Sequence, residues 1–232
     1  MTSFNPSDLP PPLTTLSAQL SSPQLKTRVL AMLELQKASM PAEDALPLLQ
    51  IALKDQAEQV RGMAAFALGI KPVPDSLTLL VQTLESDPDY NVRAMAAGAL
   101  GYLGDRQALS ALSHVFLEDP NWLVQFSAAV ALGNLQDPQA IDILLTALDS
   151  DRALVQEAAI MALGEIGSVD QVEQVLRFVP SPDWMIRKRV AEALGNMPTE
   201  QSQSALKYLS QDDNPQVAAA AKLAGEQLAK LL

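Results

Sequence analysis

Small and apolar residues recur along this chain on two scales, one turn of helix and a much longer period. Five segments read V-[RQ]-x-x-[AV]-x-x-A-L-G, the last with Ile in first place: Val60–Gly69, Val92–Gly101, Val124–Gly133, Val155–Gly164 and Ile186–Gly195. Their starts lie 31 or 32 residues apart. At roughly 100° per residue, the starting residue and those four, seven, eight and eleven positions on fall on one narrow helical stripe. In one copy these are Val92, Ala96, Ala99, Leu100 and Leu103. The Ala residues allow neighbouring helices to approach closely. The Gly nine residues on is placed where a helix can end in a left-handed residue, and Gly104 and Gly167 mark the turn beyond.

A second stripe precedes each motif, as Leu77, Leu80, Val81 and Leu84 in one place and Ile141, Leu144, Leu145 and Leu148 in another. Between the stripes come short polar turns: Asp87-Pro88-Asp89-Tyr90, Asp119-Pro120-Asn121-Trp122 and Ser181-Pro182-Asp183-Trp184. Asp or Ser before Pro stops a helix and starts a turn. Helix–turn–helix units at a fixed period predict a stack in which no pair buries its apolar face alone. The expected fold is all-α, a right-handed α-solenoid of about seven stacked antiparallel helix pairs. These fall near 8–38, 41–71, 73–104, 106–136, 138–167, 168–197 and 199–232. Residues 1–12, with Pro6, Pro10, Pro11 and Pro12, read as an extended or disordered arm, and 13–232 as a single solenoid. A faint copy of the motif at Leu25–Leu33 puts Glu34 in place of the usual Gly, and the copy from Val217 lacks the Ala-Leu-Gly ending. Such atypical end units predict caps.

Composition narrows the chemistry. Apolar residues make up 48% and aromatics only 4%, which suits close-packed helices. The net charge of −11 argues against nucleic acid or an anionic membrane surface as partner. Residues 1–115 carry 11 acids and 8 bases, and 116–232 carry 16 acids and 8 bases. With no cysteine, disulfides, thiolate metal sites, thiol nucleophiles and protein-ligated iron–sulfur clusters are excluded. No apolar run reaches transmembrane length and the first residues lack a secretory pattern, so a soluble cytoplasmic protein is expected, without membrane insertion. His114 is the only histidine and has no orienting partner in view. No metal site, no cofactor and no catalytic residue is therefore expected.

The stretches DPDYNVRAMAAGALGYLGD and DPNWLVQFSAAVALGNLQD resemble the HEAT-repeat family, and specifically the bilin-lyase-type HEAT-like repeats common in cyanobacteria. The similarity covers about residues 20–225. In such solenoids the second helix of each pair lines the concave face. The resemblance implies three kinds of work: a protein-binding scaffold, a bilin lyase or phycobilisome-degradation factor, or a partner of an A-type iron–sulfur cluster carrier. Partners would then be a phycobiliprotein subunit, a second HEAT-like chain or that carrier. The HEAT di-iron hydroxylases need several His-Glu pairs, and the HEAT-like DNA glycosylases a strongly basic face; this chain has neither.

On that face, the positions two and six residues after each starting residue point farthest from the core stripe. They are Gly62 and Phe66, Ala94 and Gly98, Phe126 and Val130, Glu157 and Met161, then Lys188 and Glu192. Flanking positions add Met63, Met95 and Tyr102. The candidate partner-binding residues are thus Met63, Phe66, Met95, Tyr102, Phe126, Val130 and Met161, since exposed Met and Phe mark binding surfaces. Tyr90, Trp122 and Trp184 share one place in the repeat, two residues before the starting residue, and form a second candidate set along the turn edge. Arg61, Arg93 and Arg187, replaced by Gln125 and Gln156 elsewhere, read as structural links to turn carbonyls and to the Asp of a neighbouring pair. Arg187, Lys188 and Arg189 with Glu192 read as local ion pairs. The function expected is a non-catalytic scaffold.

Overall fold

The computed structural model describes residues 13–231, so the expected N-terminal arm lies outside the described residues. All regular elements among these residues are helical, and they divide into two compact units, one ending at Leu103 and the next beginning at Gly104. The first holds three pairs: α1 (Leu13–Leu20) with α2 (Leu25–Lys37), α3 (Ala42–Ala52) with α4 (Glu58–Ile70), and α5 (Ser76–Ser86) with α6 (Tyr90–Leu103). The second holds four: α7 (Leu109–Glu118) with α8 (Trp122–Leu135), α9 (Ile141–Ala147) with α10 (Ala153–Ile166), α11 (Val172–Leu176) with α12 (Trp184–Leu194), and α13 (Glu200–Leu209) with α14 (Pro215–Leu228). Within each unit, pairs stack in chain order, second helix against second helix: α4 on α6 in one, α8, α10, α12 and α14 in succession in the other. This is the α-solenoid the periodicity predicts.

Each turn is built from its own polar residues. Asn121, Asp183 and Asn214 accept hydrogen bonds from the backbone N–H groups two residues on and start α8, α12 and α14. Asp105 and Asp137 do the same for single 3₁₀ turns, Arg106–Ala108 and Pro138–Ala140, that lead into α7 and α9. Gly104 and Gly167 adopt the left-handed conformation (φ 68° and 71°) that lets the chain reverse into the next pair.

The Gly of the motif has a different role from the one its place predicts. Gly69, Gly101, Gly133 and Gly164 lie inside α4, α6, α8 and α10, and Gly195 follows α12 in right-handed backbone. A Cβ on Gly69 would stand 2.7 Å from Ala99 Cα, on Gly133 2.8 Å from Ala162 Cα, and on Gly195 2.9 Å from Ala224 Cβ. At Gly69, Gly133, Gly164 and Gly195 the glycine is thus the site where successive second helices of one unit touch closely, and the residue it meets is the Ala two places before the next repeat's Gly or its equivalent.

The first repeat also needs re-registering. Arg28 takes the role of Arg61, so the copy begins at Thr27, not at Leu25. Glu34 then stands where other repeats have Ala67, Ala99, Ala131, Ala162, Ala193 and Ala224, and Gln36 where they have Gly.

A recurring ion pair joins consecutive repeats. Arg28 donates to both Asp55 oxygens (2.6 and 3.0 Å) and to the Ser22 carbonyl. Arg61 donates to both oxygens of Asp87 (2.7 and 2.9 Å) and to the Asp55 carbonyl. Arg187 repeats this with Asp212 and the Ser181 carbonyl. Each Asp also accepts an N–H from its own turn, so the guanidinium fixes the next pair's turn as well as its charge. Where Gln156 replaces Arg, its amide donates only to the carbonyls of Leu148 and Ser150.

Candidate functional site

In the first unit, the positions three, six and ten residues into each motif face away from the first helices and stay open. Phe66, Met95 and Tyr102 are 38%, 39% and 68% exposed, and Met63 is half-buried. Phe66 of α4 and Tyr102 of α6 meet edge to face, ring centroids 6.4 Å apart at 86°. Gly62, expected to be open, is buried because Met95 lies across it: a Cβ there would meet the Met95 sulfur at 2.6 Å. Ala94 is buried too. The re-registered first repeat extends this surface, since Leu30 and Leu33 of α2 occupy the positions of Met63 and Phe66, and Ile70 that of Tyr102. All three are exposed. A register set on Leu25 hides Leu30 and Leu33, and Arg28 is the signal in the sequence that corrects it.

The second unit presents a different face. Phe126 and Val130 of α8 and Met161 of α10 are half-buried. Glu157, also expected to be open, is only 5% exposed. Burial pushes its carboxyl above the usual range, opposed by Arg189, whose Nε lies 3.8 Å from Oε2. Arg189 also pairs with Glu192 at 2.8 Å, and Lys188 with Glu192 at 3.3 Å. These are the local ion pairs expected of this basic run. The surface therefore passes from apolar on α8 to charge-compensated on α12.

The turn-edge aromatics divide between the units. Tyr90 begins α6, and Trp122 and Trp184 begin α8 and α12. Tyr90 and Trp122 are exposed and Trp184 is half-buried. Ala153 holds the corresponding place in α10, so no continuous aromatic row runs along the second unit. His114 is exposed on α7. Among the described residues no group of three or more His, Asp or Glu is arranged to hold a metal, and no helix is long and apolar enough to cross a membrane.

The sequence matches the family of HEAT repeats over residues 77–162 and 145–224. No curated protein sequence matches it. Among solved structures, the complex of CpcE and CpcF of phycocyanin lyase from Nostoc sp. PCC7120 is similar with a TM-score of 0.60 at 22% identity, covering 98% of this chain and 99% of that one. Kap121p is similar with a TM-score of 0.70 at 17% identity, over 89% of this chain and 26% of its own. The YIBA_ECOLI structure gives 0.65 at 18% identity, over 92% and 81%. At these identities the structural likenesses speak for the fold alone. The family match spans more than half of the chain, and the helix pairs and the motif glycines recur across it: this chain belongs to the HEAT-repeat family.

Proposed function

We propose that this protein is a non-catalytic scaffold that binds another protein through exposed positions of its second helices. One observation carries the reading: the exposed Phe66–Tyr102 edge contact beside Met95, on positions of α4 and α6 that bear no charge. The paired Phe66 and Tyr102 rings give much contact area for little lost conformational freedom, the flexible Met95 adapts to the partner's shape, and a few such anchors supply most of the affinity of an interface. Met63 supports this platform. Phe126, Val130 and Met161 offer a second, shallower apolar strip in the other unit, with Tyr90 on the turns of the first unit and Trp122 and Trp184 on those of the second held in reserve. The net charge of −11 favours a partner with a basic patch and faster encounter at low salt. Substituting both Phe66 and Phe126 by Asp is the test. Partner capture should be abolished while helicity is kept; unchanged capture would move the site to the turn edge.

The similarity to the CpcE–CpcF complex over the whole of both chains supports a second reading, a bilin lyase or phycobilisome-degradation factor working with a second HEAT-like chain. A tetrapyrrole is large, flat and acidic, and Phe126, Trp122 and Lys188 of the second unit are the residues that would hold it, with Tyr102 a separate aromatic of the first. Purified protein mixed with free bilin, with and without a biliprotein subunit, should then shift the visible absorption. An unchanged spectrum in both cases removes this reading.

A further inference from the structure

The first unit contains a cavity of about 330 Å³ where α2 ends and α3 and α4 begin and end, and it has a cause in the sequence. In the later repeats, a Gly nine residues into the motif lets one second helix close on the Ala of the next. In α2 that place is held by Gln36. Its side chain reaches across and donates to the Met63 carbonyl (3.1 Å), propping α2 away from α4. Ala67, the residue a glycine would have met, is left lining the gap. Leu35, Leu49 and Val73 complete an apolar floor, all of them buried, while Lys37 and Lys71 stand exposed at the rim.

The charge of this cavity contrasts with that of the chain. The protein has 27 acids against 16 bases, yet two lysines and no carboxylate line the opening. The Lys71 ammonium donates to the Gln36 and Ala38 carbonyls at the C-terminal end of α2, which uses two of its three N–H groups. The third is free for a ligand. A volume at the lower end of the range for small-molecule sites, an apolar floor and a few cationic donors at the mouth define one ligand chemistry.

We infer that this cavity binds an apolar tail ending in a carboxylate, the tail on Leu35, Leu49, Ala67 and Val73 and the carboxylate between Lys37 and Lys71. The same chemistry comes from two sources, a free medium-chain carboxylic acid or the C-terminus of a peptide ending in an apolar residue. The site lies apart from the Phe66–Tyr102 surface, so its success or failure leaves the partner-binding reading untouched.

Full-length protein labelled at its methionine methyls, titrated with octanoate and followed by NMR, reads the site directly, because Met40 is part of the lining and Met40→Leu assigns its signal. Octanoate should shift the Met40 methyl and leave those of Met161 and Met185 in place. Octan-1-ol should bind roughly tenfold more weakly, since the charge-assisted hydrogen bonds are lost. Lys37→Ser should weaken octanoate but not octan-1-ol, and Gln36→Gly should abolish both by letting α2 close on α4, with folding checked by melting. A peptide ending in Leu-Leu, compared with its C-terminal amide, separates the sources: a free-carboxylate peptide that binds while its amide does not points to a chain terminus, and octanoate alone points to a free acid. No shift of Met40 by either carboxylate at millimolar concentration, or equal affinity for octanoate and octan-1-ol, overturns the inference.

Discussion

Gly164 of α10 and Ala193 of α12 leave no room between them for a methyl group: a Cβ on Gly164 would lie 2.6 Å from Ala193 Cα and 2.7 Å from its Cβ. Both neighbours are backbone or backbone-anchored, so the clash cannot be relieved by turning a flexible side chain. Gly164→Ala should therefore destabilise the protein by about 1–3 kcal/mol, as overpacked core sites do. Gly98 is the control. It is also inside a second helix, but a Cβ there meets nothing within 4 Å. Gly98→Ala should stabilise by up to about 1 kcal/mol through helix propensity. Chemical denaturation of the two variants beside wild type checks the opposite signs.

These glycines also show where the sequence was legible and where it was not. The period, the pairing of helices and the Arg-to-Asp links follow from patterns that one chain displays by itself. The role of the motif Gly does not. A glycine near a helix end looks the same whether it reverses the chain or admits a neighbour. The apolar residue two places later, Leu103, Leu135 or Ile166, belongs to the same helix and was the available clue. The positive φ falls instead three residues on, at Gly104, Gln136 and Gly167. Of the candidate face, Phe66, Met95 and Tyr102 could be placed by helical spacing. The burial of Gly62, Ala94 and Glu157 could not, because it depends on which neighbour's side chain lies across them.

The Arg187–Asp212 link makes a pH-dependent contribution. Two hydrogen bonds from the guanidinium hold the Asp212 carboxyl below its ordinary range; burial opposes this and the Asn214 N–H adds to it. A carboxyl whose value is lowered by folding gives stability that is complete above its unfolded value, about 3.9, and is lost as pH falls through the folded one. Arg187→Met leaves Asp212 mostly buried without its partner and should cost about 3 kcal/mol at neutral pH. The difference from wild type should shrink steadily below about pH 4. A constant difference down to pH 2 would mean that the loss is one of packing, not of charge.

Glu157 carries the opposite sign. Burial raises its carboxyl above the ordinary value, and Arg189 only partly offsets that. The ionised form is then a cost to folding at neutral pH. That cost fades as pH falls through the folded value and is absent below the unfolded one, about 4.3. Glu157→Gln should accordingly melt higher than wild type at pH 7 and level with it near pH 3.5. If the variant melts lower at pH 7, the Arg189 ion pair outweighs the desolvation.

Five residues into the motif, the first six repeats place a fully buried apolar residue: Met32, Ala65, Ala97, Ala129, Ile160 and Ala191. In α14 that position is Lys222, and the Gly position is Glu226; both are exposed. At the other end, Glu34 replaces the Ala that receives the preceding repeat's glycine, and it too is exposed. Charge therefore stands on each face where another repeat would dock, and head-to-tail stacking would set Glu226 of one copy against Glu34 of the next at the Gly–Ala contact, two carboxylates in one desolvated place. Removing those charges with Lys222→Ala, Glu226→Gly and Glu34→Ala should create two complementary faces, a head-to-tail contact that does not close. Sedimentation velocity should show wild type as a single species and the triple variant as a concentration-dependent series of larger ones. A triple variant that sediments as wild type does would locate the barrier to stacking elsewhere, first at Gln36, whose side chain keeps α2 from seating closely even within its own unit.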